Sequence, residues 1–139
     1  MEVFENELER LGDSTATTRM SGTDVLPVGP PLSYGGTTDT LNPEELFVAS
    51  INSCLMLVFD HFAQQRKVEV SRYSSHASGK VEKTPNGLRF TEVQVKATVS
   101  LIEANGVDEV SKLATLAEKY CLVSNSVACP VHYQVTIQA

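Results

Sequence analysis

The stretch NPEELFVASINSCLMLVFDHF, residues 42–62, predicts the helix around which the rest of the chain is organised. Asn42 is a favoured N-cap residue, and Pro43 suits the first helical position. Glu44 and Glu45 place negative charge at the positive end of the helix dipole. Glu45 also lies three residues after Asn42, which is the spacing of a capping box. A helix therefore begins at this point.

Apolar side chains cover the predicted helix on nearly every side. One stripe at helical spacing consists of Phe47, Ile51, Cys54, Leu55, Val58 and Phe62. A helix that is apolar all round is typical of a central, buried element. We expect it to end near residues 65–67, and it carries a cysteine at its middle.

Strands flank this helix on both sides in the sequence pattern. The predicted strands are residues 2–10, 15–20, 24–28, 68–83, 88–102 and 131–139, with turns at Gly12–Asp13, Ser21–Gly22 and 84–87 and a loop over 29–40. The strands 68–83 and 88–102 should form a long antiparallel hairpin. The alternation changes phase near Thr91, which predicts a bulge there.

A second helix is predicted over residues 107–124, with Asp108 as its cap. Its apolar stripe consists of Val110, Leu113, Ala114, Ala117 and Cys121. The element order then predicts an α+β fold in which antiparallel sheet surrounds a long central helix. A length of 139 residues suits one domain, residues 1–139.

Composition narrows the class of protein. The chain is 42% hydrophobic and 20% charged, as in soluble globular proteins, and its net charge of −6 disfavours nucleic acid or anionic membrane as partners. The start of the chain has no signal-peptide pattern. The longest strongly apolar run, residues 55–59, is too short to span a bilayer. We therefore expect a cytoplasmic protein with no membrane partner.

The chain has three cysteines, and their odd number disfavours a disulfide framework. No C-x-x-C motif is present, and the three histidines have no metal-site spacing, so we predict neither a metal nor a cofactor. Cys129 fits a core or loop position. Cys54 and Cys121 could be small core residues, as free cysteines usually are. They could also be a redox pair, because the apolar stripes of the two helices can bring their Cα atoms to roughly 5.5 Å.

The segments NPEELFVASINSC (42–54) and AEKYCLVSNSV (117–127) resemble the two hallmark motifs of the OsmC/Ohr family. The family begins its central helix with N-P-E, and its reactive cysteine follows ten residues after the glutamate. Glu44 and Cys54 keep that offset. The second motif usually reads C-P-V-S, and here Leu122 replaces the proline. The resemblance extends over the whole chain.

The resemblance implies an intertwined homodimer with two active sites at the subunit interface. It also implies a thiol peroxidase that reduces organic hydroperoxides. Cys54 would attack the peroxide and become a sulfenic acid, and Cys121 would then form a disulfide with it. The family suggests an external dithiol of the dihydrolipoyl type, such as a dihydrolipoyl protein, as the reductant of that disulfide.

The family also implies an arginine that activates the cysteine and is held by the N-P-E glutamate, here Glu44. The loop before the helix contains no arginine, so the candidates are Arg10, which we prefer, and Arg19. Ten residues along one helix span roughly 15 Å. Glu44 therefore cannot serve Cys54 of its own unbroken helix, but it could serve the cysteine of a second chain.

Two other classes of function compete with the peroxidase. The chain could be a non-enzymatic dimeric binding protein for an acyl-type or other apolar small molecule, with core cysteines. It could also be a purely structural dimer. The absence of an arginine near the motif favours the binding protein, whereas the presence of both Cys54 and Cys121 favours the enzyme.

Overall fold

The structure is a computed structural model that describes residues 1–20, 22 and 24–138. Within them the elements are β1 (Glu7–Glu9), β2 (Ala16–Arg19), β3 (Val25–Val28), α1 (Pro43–Gln65), β4 (Val70–Thr84), β5 (Gly87–Leu101), α2 (Val110–Tyr120) and β6 (Val131–Ile137). The chain divides into two compact units, Met1–Phe47 (the N-terminal unit) and Val48–Ala139 (the C-terminal unit). Helix α1 crosses the boundary, and a single domain over 1–139 stays a prediction.

The N-terminal unit contains an antiparallel sheet in the order β1-β2-β3. Strand β1 is shorter than the predicted 2–10, whereas β2 and β3 lie inside their predicted ranges. The loop after β3 returns to the sheet, because Val28 forms a parallel bridge with Leu41. It includes a 3-10 turn at Leu32–Tyr34. Ser21 of one predicted turn and Ala139 of the last predicted strand lie outside the described residues.

The predicted start of α1 is confirmed. The side-chain Oδ1 of Asn42 accepts the backbone N–H of Glu45 at 2.7 Å, which satisfies one of the unpaired donors of the first turn. The helix ends at Gln65, and Lys67 follows with a left-handed φ of 56°. The N–H of Val68 then bonds the carbonyl of Ala63 at 2.8 Å, which closes the helix end.

Burial of α1 on all sides is not found within the single chain. One stripe is buried, and it consists of Ile51, Leu55, Phe59 and Ala63. Cys54 is half-buried beside this stripe, and Leu57 on another side is 61% exposed. The sequence pattern predicts which side chains are apolar, but it cannot say which of them the same chain covers.

Helix α1 is also long enough to be compared with a membrane-spanning helix. Its 23 residues are apolar enough to cross a bilayer by length and composition alone, although the core helix of a soluble protein passes the same test. The prediction from residues 55–59 considered one uninterrupted run and not the whole helix.

The C-terminal unit contains a sheet in the order β4-β5-β6. Strands β4 and β5 form the predicted antiparallel hairpin. The bulge is confirmed at Thr91, since Lys80 pairs with Glu92 and Val81 pairs with Phe90. The sheet departs from the expected antiparallel arrangement at one pair of strands, because β6 pairs in parallel with β5. The crossover through α2 returns the chain in the direction of β5, as a parallel pair requires.

Helix α2 is shorter than the predicted 107–124. A 3-10 helix over Ala104–Glu109 precedes it, so Asp108 lies inside that turn and is not the cap. The N-cap position is Glu109, which makes no side-chain capping bond. Val110, Leu113 and Ala117 of the predicted stripe are buried.

The core of the C-terminal unit combines three apolar faces. Strand β5 contributes Val93, Val95, Ala97 and Val99, which are at most 2% exposed, and α1 and α2 contribute the buried stripes given above. Helix α1 packs closely on β4, where the rings of Phe59 and Tyr73 lie 5.6 Å apart. A Cβ added at Gly79 of β4 would lie 2.8 Å from the side chain of Val48.

Candidate functional site: a pair of thiols beside a turn

The structure brings Cys54 and Cys121 together. Cys54 lies at the middle of α1, and Cys121 is the C-cap residue of α2. The Cys121 thiol lies within hydrogen-bonding reach of Cys54, and both cysteines are free thiols. Cys121 is fully buried, whereas Cys54 is half-buried. The pair therefore presents one accessible sulfur, backed by a second that solvent does not reach.

Contacts between α1 and α2 hold this pairing in place. The rings of Phe62 and Tyr120 lie 5.5 Å apart. Nearer the other end of α2, Nη1 of Arg66 pairs with Oε2 of Glu109 at 3.0 Å. The two helices therefore run alongside each other over this part of the unit, which places the end of α2 opposite the middle of α1.

The backbone of the turn after α2 lies beside the two sulfurs. The backbone leaves α2 at Cys121 in an extended conformation and turns back to helical angles at Val123. The N–H of Ser124 donates to Sγ of Cys121 at 3.4 Å. The backbone groups of Val123 and Leu122 lie near enough to Cys54 to lower the pKa of its thiol. This turn therefore donates one hydrogen bond to Cys121, and its backbone also acts on the thiol of Cys54.

These surroundings have opposing effects on Cys54. Burial raises the pKa of its thiol above the usual range, and the N–H of Val123 opposes that rise. The neighbouring Cys121 raises the pKa further, and the N–H of Leu122 lowers it. Burial has the largest influence, so the net direction is upward. These influences come from a thiol and peptide groups of the described chain, and not from a cationic side chain.

Arg10 and Glu44 lie in the N-terminal unit, where they line the same cavity of about 670 Å³. Its wall also includes the apolar residues Leu8, Val28, Pro30, Pro31 and Tyr34. Glu44 is half-buried, and a guanidinium nitrogen of Arg10 donates to the carbonyl of Gly12. The cavity therefore combines an apolar wall with one positive and one negative side chain.

The glycine pair in the loop has a steric role that its sequence does not reveal. Gly35 adopts a left-handed φ of 86°. A Cβ on Gly36 would lie 1.6 Å from the carbonyl oxygen of Pro30, which no side chain permits. Both glycines line the cavity, so they allow its wall to fold this tightly.

Arg19 lies elsewhere in the N-terminal unit. Its Nε is 3.6 Å from Oε2 of Glu7, and both side chains are exposed. It is not among the residues that line the cavity of Arg10 and Glu44. Of the two candidate arginines, Arg10 is therefore the one that shares a surface with Glu44.

Sequence reasoning missed two features of the C-terminal unit. Backbone N–H groups have no residue-type signature, so the turn at 122–124 could be suspected only from its motif. The hydroxyls of Tyr73 and Tyr133 lie 2.6 Å apart, on β4 and β6. Burial raises the pKa of both groups, and the charge of Cys121 adds to the rise for Tyr133. This pair depends on the parallel placement of β6, which the sequence did not predict.

The remaining candidates are not brought into a cluster. Cys129 is half-buried and stays predicted as a core or loop residue. His132 lies 3.7 Å from Glu92 on the neighbouring strand. Among the described residues, no group of three or more His, Cys, Asp or Glu side chains is arranged to hold a metal ion.

The geometry defines an α+β protein with a two-thiol site at a helix end. Residues 36–136 match the family described as OsmC-like protein. The chain belongs to the OsmC-like protein family, as its sequence motifs predict.

Solved structures share the fold. An OsmC-like protein of unknown function from Vibrio cholerae has a TM-score of 0.87 at 23% identity, with 97% of this chain and 99% of that chain covered. An organic hydroperoxide resistance protein from Legionella pneumophila has a TM-score of 0.74 at 21% identity, with both chains fully covered. These similarities confirm the predicted fold class.

A curated relative is an uncharacterized protein of Methanocaldococcus jannaschii, 22% identical over 104 residues. The match covers 75% of this chain and 53% of the relative. The chain therefore spans about half the length of the curated relative that it matches.

Proposed function

We propose that the protein is a thiol-dependent peroxidase for organic hydroperoxides. The observation that carries the proposal is the contact between half-buried Cys54 and fully buried Cys121. The half-buried thiol of Cys54 can contact the substrate, and the buried thiol of Cys121 lies close enough to react with it afterwards. Relatives of the same fold that are named organic hydroperoxide resistance proteins add support.

The reaction would use these two residues in sequence. The Cys54 thiolate attacks one peroxide oxygen, the O–O bond breaks, and the departing alkoxide takes a proton to become an alcohol. Cys54 is then a sulfenic acid. The Cys121 sulfur attacks the Cys54 sulfur, hydroxide leaves with a proton as water, and a disulfide forms. A dithiol of the dihydrolipoyl type would return both cysteines to thiols and itself become a disulfide.

We also propose that the active unit is a homodimer. Leu57 of α1 is 61% exposed, and only one stripe of this apolar helix is buried by its own chain. A second copy would cover that surface. In such a dimer the cavity with Arg10 and Glu44 of one protomer would serve Cys54 of its partner, with Glu44 positioning the guanidinium. We place this dimer in the cytoplasm, where thiols stay reduced.

Mass measurement under non-reducing conditions tests the peroxidase. Cumene hydroperoxide added to the reduced protein should remove two hydrogen atoms and form a Cys54–Cys121 disulfide. Cys54→Ser should not react, and Cys121→Ser should gain oxygen on Cys54, because no second thiol captures the sulfenic acid. Cys129→Ser is the matched control and should behave like the unmodified chain. Equal behaviour of all these proteins would show that the thiols only fill the core.

The second candidate is a non-enzymatic binding protein for an apolar small molecule. The observation in its favour is that the groups acting on Cys54 include no cation, so burial raises the pKa of the thiol. This protein would leave the hydroperoxide unconsumed. It would instead show saturable binding of a fatty acid, with affinity that is unchanged in Cys54→Ser.

A further inference from the structure

The segment that follows α2, residues 122–126, turns tightly around the backbone and the sulfur of Cys121. The backbone N–H of Ser124 donates to Sγ of Cys121 at 3.4 Å, and the Ser124 hydroxyl donates to the Cys121 carbonyl at 3.3 Å. The backbone N–H of Asn125 donates to the same carbonyl at 3.0 Å. Two consecutive residues of the turn therefore hold Cys121, and one of their hydrogen bonds reaches its sulfur.

One side chain of this turn extends back to the helix itself. Nδ2 of Asn125 donates to the carbonyl of Lys119 at 2.8 Å. That carbonyl belongs to the last turn of α2, where carbonyl groups lack partners within the helix. The hydroxyl of Ser126, in contrast, donates to the carbonyl of Leu122 at 2.7 Å, so its bond stays inside the turn. Among the described residues 122–126, Asn125 is thus the one whose side chain ties the turn to α2.

We propose that Asn125 is a positioning residue for the disulfide-forming step, because its side chain holds Cys121 in place to attack the sulfur of Cys54. The inference rests on the proposed function, since it concerns the second thiol of that reaction. The amide of Asn125 bonds a carbonyl and not a sulfur, so it acts through the backbone of the turn.

A continuous series of contacts links α1 to the sulfur of Cys121. The ring of Tyr120 lies 5.5 Å from the ring of Phe62, which fixes the end of α2 on α1. Asn125 fixes the turn on the end of α2, and Ser124 of that turn bonds the sulfur. Cys121 is fully buried, so the position of its sulfur depends on these surrounding elements.

The position of Cys121 matters because two reactions compete for the sulfenic acid on Cys54. The Cys121 sulfur can attack it, which forms the disulfide and releases water. A second hydroperoxide can instead transfer an oxygen to it, which forms a sulfinic acid and releases an alcohol. A thiol that is already in position reacts faster, because less freedom of motion is lost on the way to the transition state. Asn125 therefore favours the reversible disulfide over the sulfinic acid.

Equilibration with glutathione tests the positioning without any peroxide. Reduced and oxidised glutathione exchange with the two cysteines, and peptide mass spectrometry after acid quenching measures the fraction of chains with the Cys54–Cys121 disulfide. The glutathione ratio at half-oxidation gives the effective concentration of one thiol beside the other. Asn125→Ala should lower that concentration about two- to tenfold, which is the range expected for the loss of one neutral hydrogen bond.

Ser126→Ala is the matched control, since it removes a hydrogen bond of the same turn that does not extend to α2. Both side chains are exposed, so neither change leaves a cavity. Asn125→Asp is a second variant of nearly the same size, and its ionised carboxylate cannot donate to the Lys119 carbonyl. It should lower the effective concentration at least as far as Asn125→Ala, whereas Ser126→Ala should leave it unchanged.

Two outcomes would overturn the proposal. Equal glutathione ratios for the unmodified chain, Asn125→Ala and Asn125→Asp would show that the amide does not position Cys121. An equal fall in Ser126→Ala would show that any loss of a hydrogen bond loosens the turn, with no special role for its link to α2.

Oxidation by hydroperoxide gives a second readout. With rising cumene hydroperoxide, Asn125→Ala should form equal amounts of sulfinic acid and disulfide at an about two- to tenfold lower concentration than the unmodified chain. The first step, loss of the Cys54 thiol, should keep its rate. A general disturbance of the fold would change that first rate as well, and an unchanged product ratio would contradict the role of Asn125.

The two readouts separate the inference from the function on which it rests. A shifted glutathione ratio in a protein that leaves cumene hydroperoxide unconsumed would support the positioning of Cys121 and reject the peroxidase. Consumption of the hydroperoxide together with an unshifted ratio would support the peroxidase and reject the role of Asn125.

Discussion

Helices α1 and α2 solve the problem of burial differently. Helix α2 buries Val110, Leu113 and Ala117 and turns polar residues outward, so its own chain covers its apolar face. Helix α1 is apolar on nearly every side, yet its chain buries one stripe and leaves Leu57 61% exposed. The contrast shows that an apolar helix need not be buried on all sides by its own chain. Its remaining apolar surface is then available for contact with another molecule.

The largest expected effect is a loss of stability when a buried residue of α2 is shortened. Leu113→Ala should lower the free energy of unfolding by about 2–5 kcal/mol, since a fully buried leucine leaves a cavity. The matched change Leu57→Ala should cost the monomer far less. Urea unfolding at low protein concentration measures both. Equal losses would mean that Leu57 is packed as firmly as Leu113.

The next effect concerns the exposed side of α1. Leu57→Glu should weaken self-association by about 2 kcal/mol or more, because a charge would be buried in an apolar interface. Ser111→Glu on the exposed side of α2 is the control and should leave association unchanged. Analytical ultracentrifugation gives the dissociation constants. A monomeric unmodified chain at micromolar concentration would end the dimer proposal.

A smaller effect separates two neighbouring glutamates in the first turn of α1. Glu44 is half-buried and lines the cavity with Arg10, whereas Glu45 is exposed and does not. Glu44→Gln should slow oxidation of Cys54 about tenfold, through loss of a positioned charge partner. Its melting should change by the equivalent of about 1 kcal/mol or less.

Glu45→Gln is the control for this change, since Asn42 can still cap its backbone N–H. It should alter neither the rate nor the melt. Stopped-flow oxidation beside a thermal melt distinguishes the variants. An unchanged rate for Glu44→Gln would reduce Glu44 to a helix-end residue.

The smallest expected effect concerns Tyr73 and Tyr133, whose hydroxyls lie 2.6 Å apart within the C-terminal unit. Burial raises the pKa of Tyr73 and of Tyr133, so the folded state holds these protons more tightly than the unfolded state. The stabilisation is therefore complete below pH about 10 and is lost as the pH rises above it. Tyr133→Phe should cost about 1 kcal/mol at pH 7 and flatten this decline. Urea unfolding between pH 7 and 11 measures both, and an equally steep decline would contradict the assignment.

The sequence predicted the features that depend on local chemistry. Asn42 predicts the start of α1, and the phase change at Thr91 predicts the bulge, because capping and strand alternation are both written in neighbouring residues. The motif around Cys54 predicted the family, and the pairing with Cys121 followed as one of two alternatives. The roles of Arg10 and Glu44 stay predictions.

What the sequence could not predict depends on distant partners. The parallel direction of β6 is set by the crossover and not by its own alternation. The buried side of α1 depends on which elements cover it. The N–H of Ser124, which donates to Cys121, belongs to the backbone that every residue except proline shares, so no side-chain pattern could reveal it.

The parallel pairing of β6 with β5 has a consequence for the order of folding. The hairpin of β4 and β5 is local, whereas β6 can join only after residues 102–130 have closed a long loop. The turn that holds the two sulfurs lies within that loop. We therefore expect it to gain protection from hydrogen exchange after the hairpin during refolding, and simultaneous protection would refute this order. Until that step is complete, we expect Cys54 and Cys121 of a newly made chain to be exposed thiols that can form disulfides with other molecules.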